Sequence, residues 1–139
     1  MSRIRRVVFD TSTLVSAALR VGSVPHQALM KALASCDVCA SAETLAELST
    51  VMGRKKFDRY LERELRLEFV ALMTRHVHLY GVPAGAVAPG SRDAKDDKFL
   101  GLVLAAEADA LVSSDEDLLV MHPWRGVPVM TAAEFLAAE

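Results

Sequence analysis

Asp93-Ala-Lys-Asp96-Asp97-Lys98-Phe-Leu-Gly-Leu-Val-Leu-Ala-Ala-Glu107-Ala-Asp109-Ala-Leu-Val-Ser113-Ser-Asp115-Glu-Asp117 reads as one helix followed by one short strand. Asp93 suits a helix cap and Asp96 then falls at the third position. Phe99, Leu100, Val103 and Leu104 recur at helical spacing and form the inner face. Ala110-Leu111-Val112 is a short, continuous apolar run, the pattern of a strand buried on both faces. Ser113, Ser114 and Asp115 stand at its exit. A helix entered through one acid and a strand that empties onto another would bring both carboxylates to the same edge of a sheet.

Working outward, the same alternation repeats. Val7-Val8-Phe9 is a second buried-strand pattern ending on Asp10, and Thr11 and Ser12 suit the start of the apolar helix that follows. Gly22 and Pro25 interrupt that helix. The spacing of Ala28, Leu29, Ala32 and Leu33 predicts another helix from Pro25 to about Cys36. Val38-Cys39-Ala40 is a third short strand, and Ser41 suits the cap of a helix with Leu45, Leu48, Val51 and Met52 on one face. At about 100° per residue, Glu47 lies at the edge of that stripe and Glu43 farther toward solvent.

Leu61, Leu65, Phe69 and Leu72 predict a long amphipathic helix with Glu62 and Arg66 paired on its wet side. His76-Val77-His78-Leu79-Tyr80 alternates like a strand, residues 81–90 read as a surface loop, and Val127-Pro128-Val129-Met130 as an edge strand. Thr131 and Glu134 form a capping-box pattern for a last helix.

Strands alternating with helices predict an α/β fold, a mostly parallel central sheet flanked by helices, with sites outside the carboxyl ends of the strands at a topological switch point. Asp10 and Asp115 sit at strand exits, Asp96 in a first helical turn and Glu47 about two turns into another helix. All four acids can therefore converge on one edge.

The chain has 139 residues, a length that suits one domain spanning 1–139, and its 52% hydrophobic and 24% charged residues are those of a folded protein. No apolar run approaches the roughly 18 residues of a membrane span, and no apolar signal core precedes a small-residue cleavage site. A cytoplasmic location without membrane association is expected. The net charge of −2 provides no global attraction for nucleic acid, so any such binding is local or metal-assisted. Cys36 and Cys39 form a C-x-x-C without a second ligand pair and read as two small, partly buried thiols rather than a zinc or redox site. The four histidines are scattered, and Trp124 reads as a packing residue or a partner contact.

Four segments together resemble the PIN-domain ribonucleases, and more narrowly the toxins of bacterial toxin–antitoxin pairs. They are Val-Val-Phe-Asp10-Thr-Ser, Ser41-Ala-Glu-Thr-Leu-Ala-Glu47-Leu, Asp93-Ala-Lys-Asp96-Asp97-Lys-Phe-Leu, and Leu-Val-Ser113-Ser-Asp115-Glu-Asp117-Leu-Leu. Ala94, Asp97 and Ser113 stand where many relatives carry proline, asparagine and threonine. The resemblance implies a three-layer α/β/α fold and metal-dependent cleavage of RNA. It implies Asp10, Glu47, Asp96 and Asp115 as ligands of Mg²⁺ or Mn²⁺, with Asp97 the alternative to Asp96. Ser12, Ser113, Asp97 and Asp117 would support the cluster, and the basic group Arg54, Lys55 and Lys56 reads by its charge either as a contact to the RNA backbone or as an ordinary solvated turn. A small antitoxin and a homodimer are the partners it implies.

The chemistry suits the residue types. Crowded carboxylates repel each other and a phosphodiester until a hard divalent cation joins them, and such a cation activates water and stabilises a leaving oxygen. A receiver-type phosphoacceptor would want a lysine on a later strand, which Val127–Met130 lacks. A haloacid-dehalogenase-type phosphatase would want Asp-x-Asp where this chain has Asp10-Thr11-Ser12. The alternative that stays open is a non-catalytic PIN-like module that binds RNA or protein.

Overall fold

The computed structural model describes residues 3–87 and 94–138. Strand β1 (Arg6–Phe9) leads into helix α1 (Thr11–Leu19), then α2 (Val24–Ser35), β2 (Asp37–Ala40) and α3 (Ala42–Met52). A 3₁₀ turn (Lys55–Phe57) precedes α4 (Arg63–His76) and β3 (His78–Leu79). A second 3₁₀ turn (Ala94–Asp96) runs into α5 (Asp97–Ala106), followed by β4 (Ala110–Val112), α6 (Glu116–Leu119), β5 (Val129–Met130) and α7 (Ala132–Ala137). Asp93, the expected cap of α5, lies outside the described residues, as do residues 88–90 of the expected loop.

Among the described residues the strands form one sheet in the order β3-β2-β1-β4-β5, every pair parallel. The chain lays strands down from β1 toward β3, then crosses back to place β4 against the free side of β1. The switch point therefore lies between β1 and β4, where Phe9 is opposite Val112. Asp10 follows the first strand directly and Ser113 the second.

Alternation along these short strands fills two apolar layers. Val7, Phe9, Ala110 and Val112 face a cluster with Val15, Leu29, Leu48, Met52 and Phe135. Val8 and Leu111 face the opposite cluster with Phe99, Leu100, Val103, Leu118 and Trp124. Burial on both faces is why these strands lack polar residues, and it gives the expected three-layer α/β/α arrangement. The Ser41 cap, the Thr131–Glu134 capping box and the edge position of the strand after Pro128 also match the sequence reading.

Three local expectations are corrected. Asp10, not Thr11 or Ser12, caps α1, so the strand's last acid also begins the helix. The strand expected over residues 76–80 shortens to His78–Leu79, because His76 completes the last turn of α4.

The third correction concerns the inner face of α4. Arg66, placed by its i,i+4 relation to Glu62 on the wet side, is completely buried, while Leu65 and Leu72 are 44% and 42% exposed. Met73, not Leu72, enters the core. Arg66 turns inward because its guanidinium satisfies carbonyls at the end of α3 and in the following turn, which no apolar side chain can do.

Candidate active site

Asp10 stands in extended backbone at the end of β1, its amide donating to Val112 O at 3.0 Å across the switch point. Its carboxylate accepts the Thr13 amide at 2.9 Å, which caps α1, and the Ser113 hydroxyl at 2.5 Å. Ser12 Oγ donates weakly at 3.3 Å to either oxygen and lies 3.1 Å from Ser114 Oγ. Only 3% of Asp10 is exposed. Burial pushes its carboxyl above the usual value, and the hydrogen bonds from Ser113, Thr13 and Ser12 offset only part of that rise.

Ser113 and Asp115 arrive through β4. The buried Ser113 hydroxyl both donates to Asp10 and accepts the Asp115 amide at 2.9 Å, so one side chain ties the two strand exits together. Asp115 caps α6 by accepting the Asp117 amide at 2.9 Å. Asp117 thus supports Asp115 through its backbone.

Asp96 ends the 3₁₀ turn before α5 and is 5% exposed. Glu47 projects from the second turn of α3 and is half-buried. Its Oε1 accepts the Thr11 hydroxyl and its Oε2 accepts the Lys98 ammonium at 2.9 Å.

These elements enclose an open cleft of about 470 Å³. Asp10, Glu47, Asp96 and Asp115 all line it, with Ser12, Arg54, Lys56 and Lys95 around them. Asp97 instead lines a separate depression with Glu43 and Lys98, so of the two adjacent aspartates it is Asp96 that faces the common cleft. Lys55 is exposed on the same turn as Lys56 but is not part of the cleft wall.

The acids share a cleft without meeting in it. Among the described residues, no three His, Cys, Asp or Glu side chains approach closely enough to hold one metal ion. Their present hydrogen bonds explain why: both Glu47 oxygens are engaged, Asp10 is held by Ser113 and Thr13, and Asp115 is held by its own helix start. The donor chemistry nevertheless fits a hard divalent cation, because the lining carboxylates offer oxygen ligands and the buried charge of Asp10 is one that a cation would stabilise.

Thr11 and Lys98 are the contributors that sequence reasoning missed. Thr11 could have been found as the residue beside Asp10 at the helix start. Lys98 carried a fainter signal: a cation in the first turn of a helix opposes the helix dipole, so its placement there calls for a compensating anion.

Other motifs resolve as packing. Cys39 is buried in β2, which raises its thiol to about 11 and denies it the character of a reactive thiolate, while Cys36 caps the end of α2. Trp124 is buried beside Val8 and Leu111, and His122 accepts the Val129 amide at 2.9 Å.

A family model described as PIN domain matches residues 6–117. Among solved structures, the chain is similar to PAE2754 from Pyrobaculum aerophilum, with a TM-score of 0.65 and 11% identity, over 96% of this chain and 88% of that one. It is also similar to Mycobacterium tuberculosis VapC20, described as a sarcin–ricin loop cleaving toxin, with a TM-score of 0.53 and 16% identity, over 80% and 91% of the two chains. At these identities the likeness is one of fold. Comparison with curated proteins gave no match.

Proposed function

The chain belongs to the PIN-domain family, a family of nucleases, and on that premise we propose that it is a metal-dependent endoribonuclease using Mg²⁺ or Mn²⁺. The observation that carries this reading is that four acids, from opposite ends and the middle of the chain, line one cleft at the switch point of a parallel sheet. Asp10, Glu47, Asp96 and Asp115 are read as the catalytic and metal-holding acids, and residues 1–139 as one nuclease domain.

When bound, a hard divalent cation supplies an acidified water and neutralises charge building on the leaving oxygen. The chain's own groups orient that chemistry. Ser113 and the Thr13 amide fix Asp10, and the Asp117 amide fixes Asp115, so neither carboxylate must be ordered as substrate arrives. Ser12, exposed at the cleft, offers a hydroxyl to a phosphate oxygen. Arg54 and Lys56, which also line the cleft, supply the local positive charge that the net charge of −2 does not, and Lys55 extends it toward solvent.

We further propose a toxin role, supported by the likeness in fold to VapC20, with a small antitoxin as partner, a homodimer as assembly and a cytoplasmic setting. No helix among the described residues is long and apolar enough to cross a membrane. Exposed Leu65, Leu72 and Leu79 provide apolar surface of the kind that protein partners cover.

Incubating the purified, antitoxin-free protein with a mixed RNA pool is expected to give cleavage with Mg²⁺ or Mn²⁺ and none with EDTA. Equal cleavage in both conditions overturns the metal-dependent reading. The toxin role is tested in the host: induction of the wild type should arrest growth and Asp96→Asn should not, whereas equal growth of the two strains removes that role. One observation favours the second reading, a non-catalytic RNA- or protein-binding module, namely that no three acids converge among the described residues. That reading requires binding without cleavage and no loss of function in Asp10→Asn.

A further inference from the structure

Within the cleft, the two oxygens of Glu47 are held by two different side chains, a neutral one and a cationic one. Thr11, the residue after Asp10, donates to Oε1. Lys98, two residues after Asp96, donates to Oε2 at 2.9 Å. The ion pair joins α3 to α5 across 51 positions of sequence, with side chains only 12% and 29% exposed for Lys98 and Glu47. Lys98 Nζ also donates to Lys95 O at 2.6 Å, so the ammonium is anchored to the turn that presents Asp96.

This pair is a poor choice if its purpose is only to hold two helices together. Lys98 lies in the first turn of α5, where the helix dipole disfavours a cation, and an extended lysine loses rotamer freedom when fixed this way. An apolar contact would join α3 and α5 at lower cost. What the ammonium provides is a positive charge at the oxygen edge that a divalent cation would need.

Resting on the reading of the cleft as a cation site, we infer that Lys98 is a positioning residue that holds Glu47 Oε2 until a divalent cation replaces it. The ammonium and the cation compete for the same carboxylate oxygen and repel each other, so both cannot face it closely. Thr11 keeps the other oxygen fixed throughout, which lets the exchange proceed without moving the Glu47 side chain out of the cleft. The displaced Lys98 remains tethered near Lys95, with donors free for a substrate phosphate. Cation loading and the appearance of a phosphate-binding ammonium are thereby coupled.

The test measures Mn²⁺ binding by calorimetry on the full chain without RNA, in wild type, Lys98→Met and Lys98→Arg. Removing the competing charge in Lys98→Met is expected to tighten Mn²⁺ binding about tenfold, while Lys98→Arg keeps a cation and stays within about threefold of wild type. Wild type with ¹³C-methylated lysines provides a second readout, separate from affinity. The Lys98 methyl resonance, identified by its loss in Lys98→Met, should shift on adding Mg²⁺. Equal Mn²⁺ affinity in wild type and Lys98→Met, or a Lys98 resonance indifferent to Mg²⁺ while other resonances respond, overturns the exchange but leaves the cation site standing. No Mn²⁺ binding by any of the three, with RNA cleaved equally in EDTA, overturns the cation reading and the exchange with it.

Discussion

Asp10→Asn is expected to lower RNA cleavage about a hundredfold or more while making the protein more, not less, stable at neutral pH. The two effects have one origin. Asp10 is 3% exposed, and burial pushes its carboxyl above the ordinary value of 3.8. A raised acid stabilises the fold fully below its unfolded value, and that contribution is lost as pH rises through the folded value. At neutral pH the raised carboxyl therefore costs stability until a cation accompanies it.

Asparagine removes the charge but retains an oxygen for the Thr13 amide, so the cap of α1 survives. Ser113 need only turn from donor to acceptor to face the new amide nitrogen. In EDTA at pH 7 the variant should melt about 2–5 °C above wild type, and this advantage should vanish below about pH 3.8, where both side chains are neutral. Mg²⁺ should raise the melting temperature of wild type and leave the variant unmoved, closing the gap from the other side. A variant that melts below wild type by the same margin at pH 7 and pH 3.5 would show that burial of the charge is not what Asp10 contributes. Cleavage within tenfold of wild type would instead remove Asp10 from the catalytic acids.

The sheet and the positions of the acids were legible because both follow from short-range pattern. Val7–Phe9, Val38–Ala40 and Ala110–Val112 can be buried on both faces only as inner strands, and an acid directly after such a run must sit at the sheet edge. Glu47 was legible as an edge position of the α3 stripe. The engagement of each carboxylate was not legible, because it depends on partners far away in sequence. Lys98 beside two aspartates reads as an ordinary solvated helix end until α3 brings Glu47 against it, and Ser113 reads as a spacer until β4 lies next to β1. Arg66 failed for the converse reason. Its charge and its i,i+4 relation to Glu62 both argue for solvent, and only the tertiary fold reveals the unsatisfied carbonyls that draw it inward.

Those carbonyls make Arg66→Met the substitution with the largest expected effect on stability, a loss of about 3–5 kcal/mol in urea unfolding. The guanidinium donates to Leu61 O at 2.9 Å, Met52 O at 2.6 Å, Arg54 O at 2.9 Å and the Asp58 carboxylate. The Asp58 side chain is 51% exposed, so that ion pair contributes little on its own. The cost comes from three carbonyls that lose their donor around a fully buried side chain, which methionine matches in length but not in hydrogen bonding.

Lysine is the informative intermediate, because it keeps the charge and three donors but not the planar fork, and it should recover part of the loss. The consequence reaches function because the turn that Arg66 ties down carries Arg54, Lys56 and Phe57, which line the same cleft as the four acids. Arg66→Lys should therefore raise KM for RNA more than it lowers kcat, with Mn²⁺ affinity unchanged, since none of the four acids hangs from that turn. A methionine variant within about 1 kcal/mol of wild type would mean that water replaces the guanidinium at no cost. An equal loss in KM and Mn²⁺ affinity for the lysine variant would mean that the basic wall and the acidic floor are a single mechanical unit, with Met52 O at the end of α3 as the link back to Glu47.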